Sequence, residues 1–337
     1  MREIVRANKL GFGILVLVLL ALQSVASLAA CRMVAPSDKI LINASSQKTL
    51  ARIGITRDLI FASLKDVSIP ETSGCWSGVT GNFDDQIVSA GVLQWNYGQK
   101  SLQPIMRAYQ AQFATDRAYD QELARIMPIH GNLIFSRGCL TSPITNDCKS
   151  AILSLQTDNK LQLSLKQEFD ALFESDPMVQ VQTDRFIMLL ESVRDDLQRL
   201  FPNTIPSVRK IKWAIDTKVQ QGGFPGDADV ARARLAWSTL EGQKRLGKLH
   251  SLIAWYQGLS NAPDQDGTSR VTDNARAWNE KISSNGLSDE QVDLLQLTFL
   301  KSRTAQGQSG RWQALTFQRR AKIIFGVGCV AGECTGI

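Results

Sequence analysis

Histidine is nearly missing from this chain: there are two in 337 residues, His130 and His250, far apart in sequence. None of the six cysteines forms a Cys-x-x-Cys pair or stands at a metal-ligand spacing from a histidine, so no metal site is expected. The basic residues are not gathered into a dense stripe, which makes nucleic acid a poor partner. There is no long polar or low-complexity tract of the kind that keeps a chain disordered. Internal repeats are absent, and the one strongly apolar run, residues 12–22, is too short to span a bilayer comfortably. What remains is an ordinary globular composition, 44% hydrophobic and 21% charged, in a chain long enough for one large domain or two modest ones.

The first thirty residues read as an export signal rather than as part of the fold. Arg2, Arg6 and Lys9 form a basic start, the apolar run follows, and residues 23–30 are small and weakly polar. An uncleaved anchor is the other reading of the same run. Leu28-Ala29-Ala30-Cys31 resembles a bacterial lipobox, which implies a lipid on Cys31 and a membrane tether. Arg32 after that cysteine then points to the outer membrane of a Gram-negative cell. Ser27-Leu28-Ala29 also suits an ordinary signal peptidase, which would leave Cys31 free. Either way the expected setting is the periplasm or cell envelope.

An exported chain lives where disulfides persist. Cys139 and Cys148, and Cys329 and Cys334, are close enough in sequence to be natural pairs. A lipidated Cys31 leaves Cys75 alone, whereas an unmodified Cys31 can pair with it. Removing residues 1–30 takes away Arg2, Arg6, Lys9 and Glu3 and lowers the formal net charge from +6 to +4. That residual positive charge suits an anionic partner such as peptidoglycan or an acidic lipid surface better than cationic chitosan.

After a polar connector over residues 31–48, the expected body is a single, mainly helical domain over residues 49–337. Thr56 reads as an N-cap, and helices are expected over residues 104–126, 158–173, 177–201, 203–219, 227–259 (one helix or a pair), 288–301 and 311–325. Glycines at 74, 78 and 81 mark short strands and turns, predicting a small β-hairpin insert near residues 76–95. Residues 220–226 form a loop that could line a groove, and residues 261–269 form another polar loop.

The chemistry concentrates in residues 71–104, ETSGCWSGVTGNFDDQIVSAGVLQWNYGQKSLQP. Glycoside hydrolysis needs one carboxyl to protonate the leaving oxygen and a second to activate water or attack the sugar. Glu71, beside Ile69 and Pro70 with Trp76 and Trp95 nearby in sequence, has a setting for the acid, and Asp84 follows as its partner. Gln94 and Asn96 can hydrogen-bond sugar hydroxyls, and Trp95 and Tyr97 can stack on a pyranose or pack in the core.

These motifs resemble the lysozyme-like superfamily of glycoside hydrolases. Glu71-Thr72-Ser73-Gly74 and Gly91-Val92-Leu93-Gln94 are similar to the Glu-Ser-Gly and Gly-Leu-Met-Gln segments of lytic transglycosylases. The closer similarity is to family 46 chitosanases and related bacterial cell-wall hydrolase-like proteins, whose Asp-Gly-x-Gly-x-(Ser/Thr)-x-Gly spacing is kept by residues 84–91. The cell-wall proteins also carry the Leu-Gln-Trp-Asn-x-Gly-Gln…Leu-Gln-Pro pattern found here at 93–96, 98–99 and 102–104. Arg319-Arg320…Gly326-Val327-Gly328 is a further, distant echo. The resemblance covers about a tenth of the chain. It implies a lysozyme-like fold, an inverting glycosidase with Glu71 as general acid and Asp84 as general base, and Ser89 holding the attacking water. The implied substrate is peptidoglycan or a related amino-sugar polysaccharide, with no cofactor. Asp85 and Ile87 stand where the motif has glycines, which predicts a reshaped hairpin. A lytic transglycosylase using Glu71 alone and a non-catalytic glycan-binding envelope lipoprotein are the alternatives.

Overall fold

A computed structural model describes residues 31–38, 40–52, 54–83, 85–202, 204–259, 270–305, 310–330 and 332–336. The export signal expected over residues 1–30, the polar loop at 261–269 and Asp84 lie outside these. The described residues are mainly helical, with three two-stranded hairpins among them. No helix among the described residues is long and apolar enough to cross a membrane.

The residues expected as a connector are folded onto the body. Arg32 donates to Asp38 and, from Nη1, to the carbonyl of Glu174 and to Asp176, each at 2.7 Å. Helix α1 (Ala44–Ala51) follows, capped by Asn43. Thr56 then caps α2 (Arg57–Thr72), accepting from Leu59 N, and the helix runs on through Pro70 to include Glu71 in its last turn. Ser73, at φ 55°, ends it.

The apolar side chains form two cores. The smaller gathers Val79, Val88, Tyr97, Ile105, Tyr109, Ile152, Phe169 and Phe173. Around it lie β1 (Ser89–Ala90), β2 (Trp95–Asn96), α3 (Leu102–Gln110), α4 (Asp116–Ile126), the short α5 (Gly131–Ile134) and α6 (Arg137–Leu140), α7 (Asn146–Ser154), the hairpin β3 (Gln156–Thr157) and β4 (Lys160–Leu161), and α8 (Leu163–Glu174). The helix expected over 104–126 is broken between Gln110 and Asp116, where Thr115 caps a new helix by accepting from Ala118 N.

The 25-residue α9 (Asp176–Leu200) joins the cores: Met178 and Val181 pack in the smaller, and Val179, Phe186, Leu190 and Val193 in the larger. The larger core also takes in α2, α10 (Val208–Gln221), α11 (Asp227–Ser238), α12 (Gly242–Gln257), α13 (Val271–Asn285), α14 (Asp289–Ser302) and α15 (Gly310–Phe325). The segment 227–259 is thus a pair of helices, divided at residues 239–241. Stacked Trp278 and Phe325, with ring centroids 5.6 Å apart, tie α13 to α15. The closing hairpin, β5 (Gly328–Val330) and β6 (Glu333–Thr335), is bridged by Cys329–Cys334 and held by Asn274, whose amide makes hydrogen bonds with both backbone groups of Cys329.

All six cysteines are paired, as Cys31–Cys75, Cys139–Cys148 and Cys329–Cys334. Three disulfides fit an oxidising, exported environment. A sulfur in a disulfide has no valence left for a thioether, so the Cys31–Cys75 bond and a lipid on Cys31 exclude one another.

Candidate functional site

Glu71 sits at the C-terminal tip of α2, with its side chain mostly buried. The tip is pinned from two sides. Thr72 Oγ1 donates to the carbonyls of Ser68 and Cys75, and residues 32–34 run antiparallel to 74–76 through Val34 N to Gly74 O and Trp76 N to Arg32 O. The Cys31–Cys75 bond locks that pairing covalently. Trp76 is fully buried and its indole N–H donates to Asp38 at 2.8 Å.

Oε1 of Glu71 accepts from Arg319 Nη1 at 2.6 Å and from Gln220 Nε2. Among the described residues no hydrogen bond falls on Oε2. Arg319 does not serve Glu71 alone. Its Nε donates to Asp216 Oδ1 at 2.8 Å, and Arg320 Nε reaches Asp216 Oδ2 at 3.2 Å. Arg320 Nη1 donates to Gln221 Oε1 at 2.6 Å, while its Nη2 is buried with no partner among the described residues. The tip of α2, the second half of α10 and α15 thus deliver one continuous network, Gln220–Glu71–Arg319–Asp216–Arg320–Gln221.

Asp216, Arg319 and Arg320 are all at least nine-tenths buried. Charges so far from water stand only where partners replace the lost hydration. Burial pulls the Arg319 guanidinium down, but Asp216 and Glu71 more than restore it and leave it above its ordinary value. For Arg320 burial wins: despite Asp216 it is pushed down to about 10, with Arg319 adding repulsion. Lys301, half-buried on α14, is lowered by desolvation and by Arg320.

The hairpin beside this network is a three-segment ribbon. Ser89 pairs with Asn96 on one side and Thr80 on the other, and Ala90 with Trp95. Gly91, at φ 78°, packs so close to α9 that a Cβ would meet Gln182 Oε1 at 2.6 Å. Asp85 and Ile87 take left-handed backbone, at φ 61° and 72°. Both positions adopt the conformation that favours glycine, without glycine.

Among the expected site residues, Ser89 is buried inside the ribbon. Gln94 and Asn96 pin the hairpin instead of facing outward. Gln94 Nε2 donates to the carbonyls of Gly78 and Gly91, and Asn96 Oδ1 accepts from Gln99 N at 2.7 Å. Tyr97 is core, and Trp95 is half-buried and packs against both cores. Glu71 is the expected residue with a charged partner, and Asp84 lies outside the described residues.

Asp216 and Lys301 carry no site assignment from sequence, and Gln220 and Gln221, expected to start a groove-lining loop, are instead the last two residues of α10. Asp216 left a signal, since it is a lone acid beside Ala214 and Ile215 in an apolar stretch of α10. Compared with protein-family models, with curated proteins and with solved structures, the chain finds no match.

Proposed function

We propose that the chain is an exported glycosidase of lysozyme-like fold, cutting the glycan strand of peptidoglycan with Glu71 as general acid and Asp84 as general base. The observation that carries this reading is the one-sided hold on Glu71. Arg319 and Gln220 both bond Oε1, so the carboxyl cannot rotate freely and Oε2 is the oxygen left to carry and deliver a proton. Glu71 lies at the end of α2, and Trp95 of the ribbon packs against both cores.

In the proposed reaction the Glu71 proton passes to the glycosidic oxygen as the bond to the anomeric carbon breaks. Asp84 takes a proton from a water that attacks the opposite face, so the anomeric configuration inverts. Arg319 then faces the Glu71 carboxylate formed by the transfer, a charge it is already placed to hold.

Purified wild type, Glu71→Gln and Asp84→Asn are incubated with peptidoglycan and with chitosan, and the products are read by mass spectrometry. Wild type is expected to release fragments with reducing ends from peptidoglycan, and Glu71→Gln to lose roughly 10²–10⁴-fold in rate. No fragment from either polymer overturns the hydrolase reading. Anhydro-ended products with a tolerated Asp84→Asn move the assignment to lytic transglycosylation.

A further inference from the structure

A second cavity, away from Glu71, opens between α11, α12 and α14, with a volume of about 260 Å³. Its floor is apolar: Trp237, Leu240, Leu252, Phe299 and Leu300 line it. Its other lining residues include three cations, Arg232, Lys248 and Arg303, against one acid, Asp229. Asp229 is already paired with Arg232 at 3.4 Å. Among the described residues Lys248 and Arg303 have no carboxylate partner. The Arg303 guanidinium lies 5.8 Å from the Phe299 ring centroid, which holds its charge beside the apolar floor. On the α11 side Arg245 lies 5.5 Å over the Trp237 ring. Val230 is the one buried residue of α11, so this helix leans on the body without filling the notch.

An apolar floor beside unpaired positive charge is complementary to one kind of small molecule, a short apolar body with an anionic head. We infer that this notch binds a single-chain anionic amphiphile such as a medium-chain carboxylate. The volume falls just below that of drug-sized ligand sites, about 300–1,000 Å³, and suits one short chain rather than the paired tails of a phospholipid. This site stands independently of the glycosidase reading.

Calorimetric titration of the wild-type protein with hexanoate, octanoate and decanoate, below micelle-forming concentrations, tests it. Binding is expected to be saturable, with one site per chain, and to tighten about fourfold per added methylene until the cavity is full. Decanol and decyltrimethylammonium should bind at least tenfold more weakly than decanoate. Lys248 and Arg303 are exposed, so Lys248→Glu with Arg303→Glu should keep the wild-type melting temperature and lose decanoate binding by tenfold or more. Ala233→Leu, which fills the notch, should shorten the longest chain accepted. Absence of saturable carboxylate binding, equal binding of the cationic amphiphile, or indifference to the double charge reversal overturns the inference. So does binding seen only with phosphatidylglycerol vesicles and not with monomeric carboxylates, which would make this face a membrane contact.

Discussion

Arg319 Nη1 stands 2.6 Å from Glu71 Oε1, across 248 residues of sequence. The same guanidinium holds buried Asp216 through Nε, so its removal strands two carboxylates at once. Arg319→Met is therefore expected to destabilise the fold by about 3–5 kcal/mol, the usual cost of breaking one side of a buried ion pair. Arg319→Lys keeps the charge but offers a point donor in place of a planar fork, and should recover only part of the loss. Urea unfolding of the three chains checks this, and a loss below about 1 kcal/mol in Arg319→Met would sink the claim that the network is a structural unit.

Two of the ribbon's left-handed residues, Asp85 and Ile87, make opposite predictions. Asp85 is exposed and its side chain makes no hydrogen bond or ion pair among the described residues, so Asp85→Gly should stabilise by about 1 kcal/mol through relief of backbone strain. Ile87 is 6% exposed and packs in the smaller core. Ile87→Gly relieves a similar strain but loses roughly 2–3 kcal/mol of buried apolar surface, so the net change should be destabilising. Thermal unfolding distinguishes the two. If both substitutions shift the midpoint the same way, strain and burial have been weighed wrongly.

What could be read from sequence was local. Thr56 is an N-cap because its hydroxyl needs only Leu59 N, three residues on, and α14 starts at Ser288 in a capping box with Gln291. The 89–96 hairpin followed from turn chemistry over a few residues. The break after Gln110 was missed because apolar residues continue at helical spacing on both sides, and only Thr115 announces a new start. The Glu71 network was illegible for a different reason: its members come from residues 71, 216–221 and 319–320, and no local pattern records that three helices converge. Gln94 and Asn96 were expected to face a sugar because amides are chemically suited to both tasks. Their use in pinning the hairpin depends on carbonyls at Gly78 and Gly91 and the N–H of Gln99 being within reach.

Asp184 gives a pH-dependent test away from the site. Desolvation raises its carboxyl above the ordinary value of 3.8, against a hydrogen bond from Gln180 and the charge of Arg185. The folded chain thus holds this proton more tightly than the unfolded chain. Its contribution to stability is full below pH 3.8 and is lost as pH rises through the elevated folded value. Asp184→Asn removes that loss and still accepts from Gln180. The variant should gain on wild type between pH 3 and pH 6, with the gain level at higher pH, measured by urea midpoints at each pH. A difference that does not change with pH would assign the effect to packing instead.

The Cys31–Cys75 bond and a lipid anchor on Cys31 cannot coexist. The bond closes a loop across a sequence separation of 44 and fastens the strand 32–34 against the turn that follows Glu71. Loop closure of this length is worth roughly 3–4 kcal/mol through the unfolded chain, so Cys75→Ser should lower stability by about that amount. Reduction of wild type breaks all three bonds and should produce a larger fall, and reduction of Cys75→Ser should account for the remainder through the two shorter loops. A diacylglyceryl thioether on Cys31 would consume the same sulfur. Peptide mapping of protein isolated from its native envelope, without reduction, therefore has two exclusive results. A cross-linked Cys31/Cys75 peptide supports a chain held by its fold alone. An acylated Cys31 peptide with a free Cys75 thiol would mean that residues 31–34 are drawn to the membrane and that the tip of α2 loses its covalent clasp.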